Sequence, residues 1–201
     1  MRALLAALLL VAAPLARADR LLTVPTARKL LDGSVRLESL RQFGVGGYGT
    51  DYLAAGLGPS FEAEARLLER PDRDPRLTGD VTYNVIAPLT GFSPGFALGI
   101  MDVADATRVG ARAFACATIR NGFDRGNVPF DVTVGLFAGR RTTPYVGTNV
   151  PVYRWLRLLA ENDGRVGRAG LEATPLRGLR LRLVGERGRV LGSFGYTARS
   201  K

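Results

Sequence analysis

From about residue 33 to the C-terminus the chain repeats one pattern: short runs in which apolar and polar residues alternate, each closed by Gly, Pro, Asn or Asp. Between Ser60 and Leu67, residues Phe61, Ala63, Ala65 and Leu67 share one parity while Glu62, Glu64 and Arg66 share the other. A helix would scatter these side chains around its circumference, whereas a strand sorts them onto two faces. The same sorting sets Leu179, Leu181 and Leu183 against Arg180 and Arg182, and Ala169, Leu171 and Ala173 against Arg168 and Glu172. It also sets Val109, Ala111, Ala113 and Ala115 against Arg108 and Arg112, and Val132, Val134 and Leu136 against Thr133 and Gly135. Only 62–69 has the composition of a helix, and its alternation argues against one. About twelve strands, within ten to fourteen, are predicted, near 33–40, 51–58, 60–69, 78–86, 95–102, 108–119, 131–139, 144–151, 154–162, 166–174, 178–186 and 189–197.

The connections differ by parity as well. Even-numbered ones carry Pro59, Pro88 with Pro94, Pro129, Pro151 and Pro175; odd-numbered ones carry Asp72, Asp74, Asp102, Asp105, Arg140, Arg141, Asp163 and Glu186. In an up-and-down meander this makes two chemically distinct rims, with Pro71, Pro75 and Pro144 as departures. Twelve short antiparallel strands fit a closed transmembrane β-barrel or a soluble β-sandwich. Strand spacing and Ala- and Gly-rich strands with Arg and Glu on the minority face favour the barrel, which leaves no edge and satisfies every backbone group inside lipid.

Residues 1–18 read as a signal peptide: Arg2 is basic, Ala3 to Ala13 is a continuous apolar run, and Ala16-Arg17-Ala18 has the small-x-small form of a cleavage site. The run is short for a membrane span and ends in Pro14. The expected mature chain is a single barrel domain over 19–201, and losing Arg2 and Arg17 leaves it a net charge of about +8.

Composition narrows the chemistry. The 201 residues include no His and one Cys, Cys116, which removes the commonest general base and any thiolate metal cage, so neither metal nor cofactor is expected. Nearly all the positive charge is Arg, with Lys29 and Lys201 the only lysines. These arginines alternate with apolar residues instead of forming a patch, which argues against nucleic acid as a partner. In a barrel the polar parity lines the interior, placing Arg36, Glu62, Glu64, Arg66, Arg112, Glu161, Asp163, Arg168, Glu172, Arg180 and Arg182 around the lumen. If a solute passes, that arginine excess would favour anions; a lumen filled by its own side chains would conduct nothing.

Two carboxylates two residues apart, Glu161 and Asp163, have the spacing of a glycosidase acid and base, but a pair held by an arginine of the next strand, such as Arg168, explains them equally in chemistry and better in context. No catalytic residue is therefore assigned. Asp102 reads as a turn residue accepting backbone N–H groups. The glycine-rich stretch 44–49 lacks the lysine and helix of a phosphate loop and reads as a hairpin. Tyr48, Tyr52, Tyr83, Tyr145, Tyr153, Trp155 and Tyr196 fall mostly near strand ends, as expected of a girdle at a lipid interface, although Trp155 shares parity with Arg157 and Glu161.

Several motifs resemble the YjbH-like family of bacterial outer-membrane proteins. Leu22-Thr23-Val24-Pro25-Thr26-Ala27 followed by Leu31-Asp32-Gly33-Ser34-Val35-Arg36-Leu37 is similar to that family's "mPTA…lpdGtl" entry. Gly79 to Tyr83 resembles its "GnaKY" strand, Phe96 to Val103 its "alaLGveDv" strand, and Leu158 to Arg165 its "llaEyDGrd" segment, followed by Gly167 to Leu171. Thr82 and Asn162 depart from the pattern. The resemblance implies a non-enzymatic outer-membrane barrel, a small pore or scaffold, associated with exopolysaccharide or capsule production or export. Its implied partners are outer-membrane lipid, anionic polysaccharide and cell-envelope export proteins. The competing expectation is a soluble exported β-sandwich that binds anionic glycans.

Overall fold

A computed structural model describes residues 21–44, 47–89, 93–121 and 129–199; the expected signal peptide lies outside them. The strands are β1 (Ser34–Gln42), β2 (Gly49–Leu57), β3 (Phe61–Arg70), β4 (Arg73–Ile86), β5 (Gly95–Met101), β6 (Arg112–Asn121), β7 (Phe130–Ala138), β8 (Thr143–Tyr153), β9 (Leu156–Asn162), β10 (Gly167–Ala173), β11 (Leu179–Glu186) and β12 (Arg189–Arg199). Each pairs antiparallel with the next in sequence, and β12 returns to β1 in continuous register from Ser34↔Arg199 to Gln42↔Leu191. The result is a closed up-and-down barrel of twelve strands, which overturns the sandwich alternative: no pair of stacked sheets exists to enclose a dry middle.

The outer wall is apolar on every side. One exposed outward residue per strand makes the point: Leu37, Leu53, Phe61, Val81, Leu98, Ile119, Val134, Val146, Leu158, Leu171, Leu183 and Phe194, in order from β1 to β12. Polar residues of the opposite parity are buried, among them Arg36, Glu38, Glu64, Asp80, Thr118, Thr133, Glu161, Arg180 and Arg182. This is the inverse of a water-soluble fold, where large apolar patches are confined and buried charge is scarce, and it is the arrangement of a transmembrane β-barrel.

Two boundaries differ from the alternation pattern. β6 begins at Arg112, not near 108, because the connection before it is gathered around Asp102. Asp102 Oδ1 accepts from Thr78 Oγ1 and the Ala106 amide, both at 2.8 Å, and Oδ2 accepts from the Thr107 amide at 2.9 Å and from the Thr107 hydroxyl. Asp105 accepts from the Ala111 amide at 3.1 Å, and Gly110, at φ 80°, supplies a backbone turn that other residues resist. β4 starts early, at Arg73, because the β3–β4 hairpin keeps its ladder beyond the neighbouring β5.

Burial pushes the Asp102 carboxyl up, but hydrogen bonds from Thr107, Thr78 and Ala106 outweigh it and hold the group below the usual carboxylate range. A carboxylate so depressed stabilises the fold above its unfolded pKa and loses that contribution as pH falls through the lower folded value. Asp102→Asn should therefore cost about 1–3 kcal/mol at neutral pH, measured by denaturant unfolding in micelles. The gap to wild type should close in strong acid, and a gap independent of pH would contradict this assignment.

Exposed aromatics gather at the end of the barrel that carries both termini of the sheet. Phe61 and Tyr83 lie 4.9 Å apart, and Tyr153 and Trp155 stack at 6.1 Å. Trp155 sits in the β8–β9 turn, so the parity of Arg157 does not bind it. Tyr52 and Tyr145 depart from the expected girdle: at 7% and 3% exposure they belong to the interior.

Candidate functional site: the filled lumen and its vestibule

The chain ahead of β1 folds back inside the barrel. At the end carrying the termini, the Gly33 amide donates to the Gly56 carbonyl at 3.2 Å, and Asp32 accepts from the Gly58 amide at 2.7 Å. Going inward, the Leu30 amide donates to Glu62 at 2.9 Å, Arg28 pairs with Asp131 at 2.5 Å, and the Ala27 amide donates to Thr118 Oγ1 at 2.8 Å. At the deepest point the amides of Leu22, Thr23 and Val24 all donate to the Glu161 carboxylate, at 3.0, 3.0 and 3.2 Å. Three successive N–H groups around one carboxylate form a backbone nest, and Val24, Ala27 and Leu30 are fully buried. The segment is thus fastened to β3, β6, β7 and β9, on several sides of the lumen.

The wall is cut back to receive it. A Cβ on Gly56 would strike the Leu30 and Leu31 carbonyls, and one on Gly147 would strike Leu21 and Val24. Beyond the nest the lumen is closed by an apolar layer in which Phe137 stacks on Tyr145 at 4.4 Å beside Phe114, Met101 and Leu191. Tyr145 and Phe114 lie over their cross-strand partners Gly135 and Gly99. Arg112 lies with its guanidinium carbon 3.7 Å from the centroid of the Phe137 ring, a cation–π contact.

The charged residues expected at the lumen face it or its rim, and most of them are paired with one another. Arg36 pairs with Glu64 at 2.7 Å, Arg66 with Asp80, and Arg182 with Glu172 at 2.8 Å and Glu38 at 3.1 Å. Arg168 reaches Glu161 at 3.3 Å, Asp163 at 2.9 Å and Glu186 at 2.7 Å. Burial pushes the Asp163 carboxyl up, but Arg168 and the Val166 and Arg165 amides hold it below the usual carboxylate range. Glu62 serves the Leu30 amide, and Arg180 shares Glu172 at 3.5 Å. Rings of uncompensated charge around an open passage are therefore not what the lumen presents.

Sequence reasoning missed the role of 21–33, which it took as an entry into the first strand. Its signal was negative: this stretch of Leu, Val and Thr interrupted by Pro25 shows no alternation. Glu38, Asp80, Asp131 and Arg157 are absent from the lumen residues expected from the sequence, though each sits at polar parity on its strand.

One space remains. At the end carrying the termini a cavity of about 480 Å³ is lined by Arg28, Arg154, Arg157, Arg177, Arg180 and Arg182 against two carboxylates, Asp131 and Glu172, with Leu21 and Thr26 from the lumen segment. No group of three or more His, Cys, Asp or Glu with metal-holding geometry occurs among the described residues.

The sequence matches no protein-family model and no curated protein. Among solved structures, the chain is similar to the N-terminal β-barrel domain of Pseudomonas aeruginosa OprF, at 13% identity and a TM-score of 0.28, over 84% of this chain and 98% of that one.

Proposed function

We propose that this protein resides in a bacterial outer membrane as a plugged, non-catalytic barrel that anchors or scaffolds envelope components and conducts no solute. The observation that carries this reading is the lumen segment bound through three amides to Glu161. Glu161 itself, 5% exposed and shared with Arg168, has no lone pair to offer a substrate proton, which weighs against the glycosidase alternative. With an even strand number both termini face the periplasm, so the vestibule opens on that side. Cleavage after Ala18 leaves two residues ahead of the lumen segment, short enough for it to seat after export. The motifs shared with the YjbH-like family support a place in exopolysaccharide or capsule production, with envelope export proteins as partners.

Membrane fractionation and planar-bilayer recording test this reading. The protein should extract only with detergent, change gel mobility between unboiled and boiled samples, and give no unitary conductance steps. Reproducible steps from the wild-type chain, with a selectivity altered by Arg180→Glu, would replace the scaffold with a pore.

A further inference from the structure

We infer that the vestibule is a binding site for a small polar ligand carrying an oxyanion, a carboxylate or phosphate group, held by Arg157 and Arg180. Buried positive charge is unbalanced there. Arg157 is 8% exposed, and its guanidinium donates to the neutral Asn149 Oδ1 at 3.3 Å, with no carboxylate at ion-pair distance among the described residues. Its cross-strand neighbour is Glu172, but that carboxylate already lies between Arg182 at 2.8 Å and Arg180 at 3.5 Å.

Two guanidinium groups thus share one carboxylate, with Arg157 across the strand from it. Arg182 finds relief in Glu38 at 3.1 Å; among the described residues Arg180 has no second carboxylate at ion-pair distance and Arg157 has none. Arg180 is 7% exposed and its Nη1 has no acceptor at all. Buried charges require partners, and Arg157 and Arg180 both line the same cavity. Its volume of about 480 Å³ lies in the range of small-ligand sites. Thr133, Asn149 and Thr174 supply neutral donors and acceptors to orient a hydroxylated body, while Arg154 and Arg177, in the turns at the mouth, attract an anion from a distance. A sugar acid and a sugar phosphate share this chemistry.

The test is calorimetric titration of the detergent-extracted protein at low salt with glucuronate, inorganic phosphate and glucose. One or both anions should bind saturably at a single site and glucose should not; the tighter anion identifies the source. Arg157→Gln breaks no ion pair and should keep the heat-modifiable gel shift while weakening binding about tenfold or more. Arg157→Gln/Arg180→Gln should abolish it, whereas Arg177→Gln at the mouth should leave it within about threefold. Absence of saturable binding by either anion, or equal affinity in Arg157→Gln and wild type, overturns the inference.

Discussion

Glu161→Ala should lower the unfolding free energy of the barrel in micelles by about 3–5 kcal/mol. The carboxylate is the common acceptor for the Leu22, Thr23 and Val24 amides and the Thr23 hydroxyl, and a partner of Arg168. Removing it strands the buried Leu22 and Val24 amides and the part-buried Thr23 amide and hydroxyl, and each orphan costs its desolvation. Arg168 retains Asp163 and Glu186, so the loss falls on the lumen segment and not on the β9–β10 ladder. Glu161→Gln keeps one carbonyl acceptor and should cost less than the alanine. A protease that cuts after arginine should reach Arg28 faster in Glu161→Ala than in wild type. Equal stability of all three proteins to within about 0.5 kcal/mol would show that the nest fastens nothing.

Leu98→Arg should destabilise the membrane-inserted barrel by about 2–4 kcal/mol, and Leu77→Arg by about 1 kcal/mol or less. Both residues point outward, at 49% and 66% exposure. They differ in depth: Leu98 lies mid-strand between Tyr83 and Ala115, whereas Leu77 pairs with Leu67 on the part of the β3–β4 hairpin that outruns β5. In water the two substitutions would each be nearly neutral, because arginine is at home on an exposed strand face. Only a hydrocarbon surround makes one costly and the other cheap. Folding into lipid vesicles across a denaturant series reads the difference.

The barrel was legible in the sequence because a wall between two unlike media must alternate strictly, and residues such as Phe61 to Leu67 do so without a break. The interior parity of Arg36, Glu64, Arg168 and Arg182 followed from the same rule. Partner choice did not, since strict alternation says which face a residue occupies and nothing about what lies opposite across the lumen; Glu62 could equally have met Arg66 or an amide. The lumen segment was illegible for a related reason. A chain held inside by scattered hydrogen bonds to Glu62, Thr118 and Glu161 has no period of its own, and its contacts lie as far as 139 positions away in sequence. Tyr52 and Tyr145 misled because an amphipathic ring suits both a lipid interface and a filled interior, and only Gly135, the small partner beneath Tyr145, hinted at which.

Lipid contact around the whole cylinder is measured most directly by placing single cysteines at Leu98 and Leu171, on well-separated strands, in a Cys116→Ala background. Each is labelled with an environment-sensitive fluorophore and titrated with brominated phospholipid and with aqueous iodide. Strong quenching by bromolipid and little by iodide is expected at both positions. Efficient iodide quenching at either site would mean that this face of the wall meets water, and the transmembrane assignment would fail.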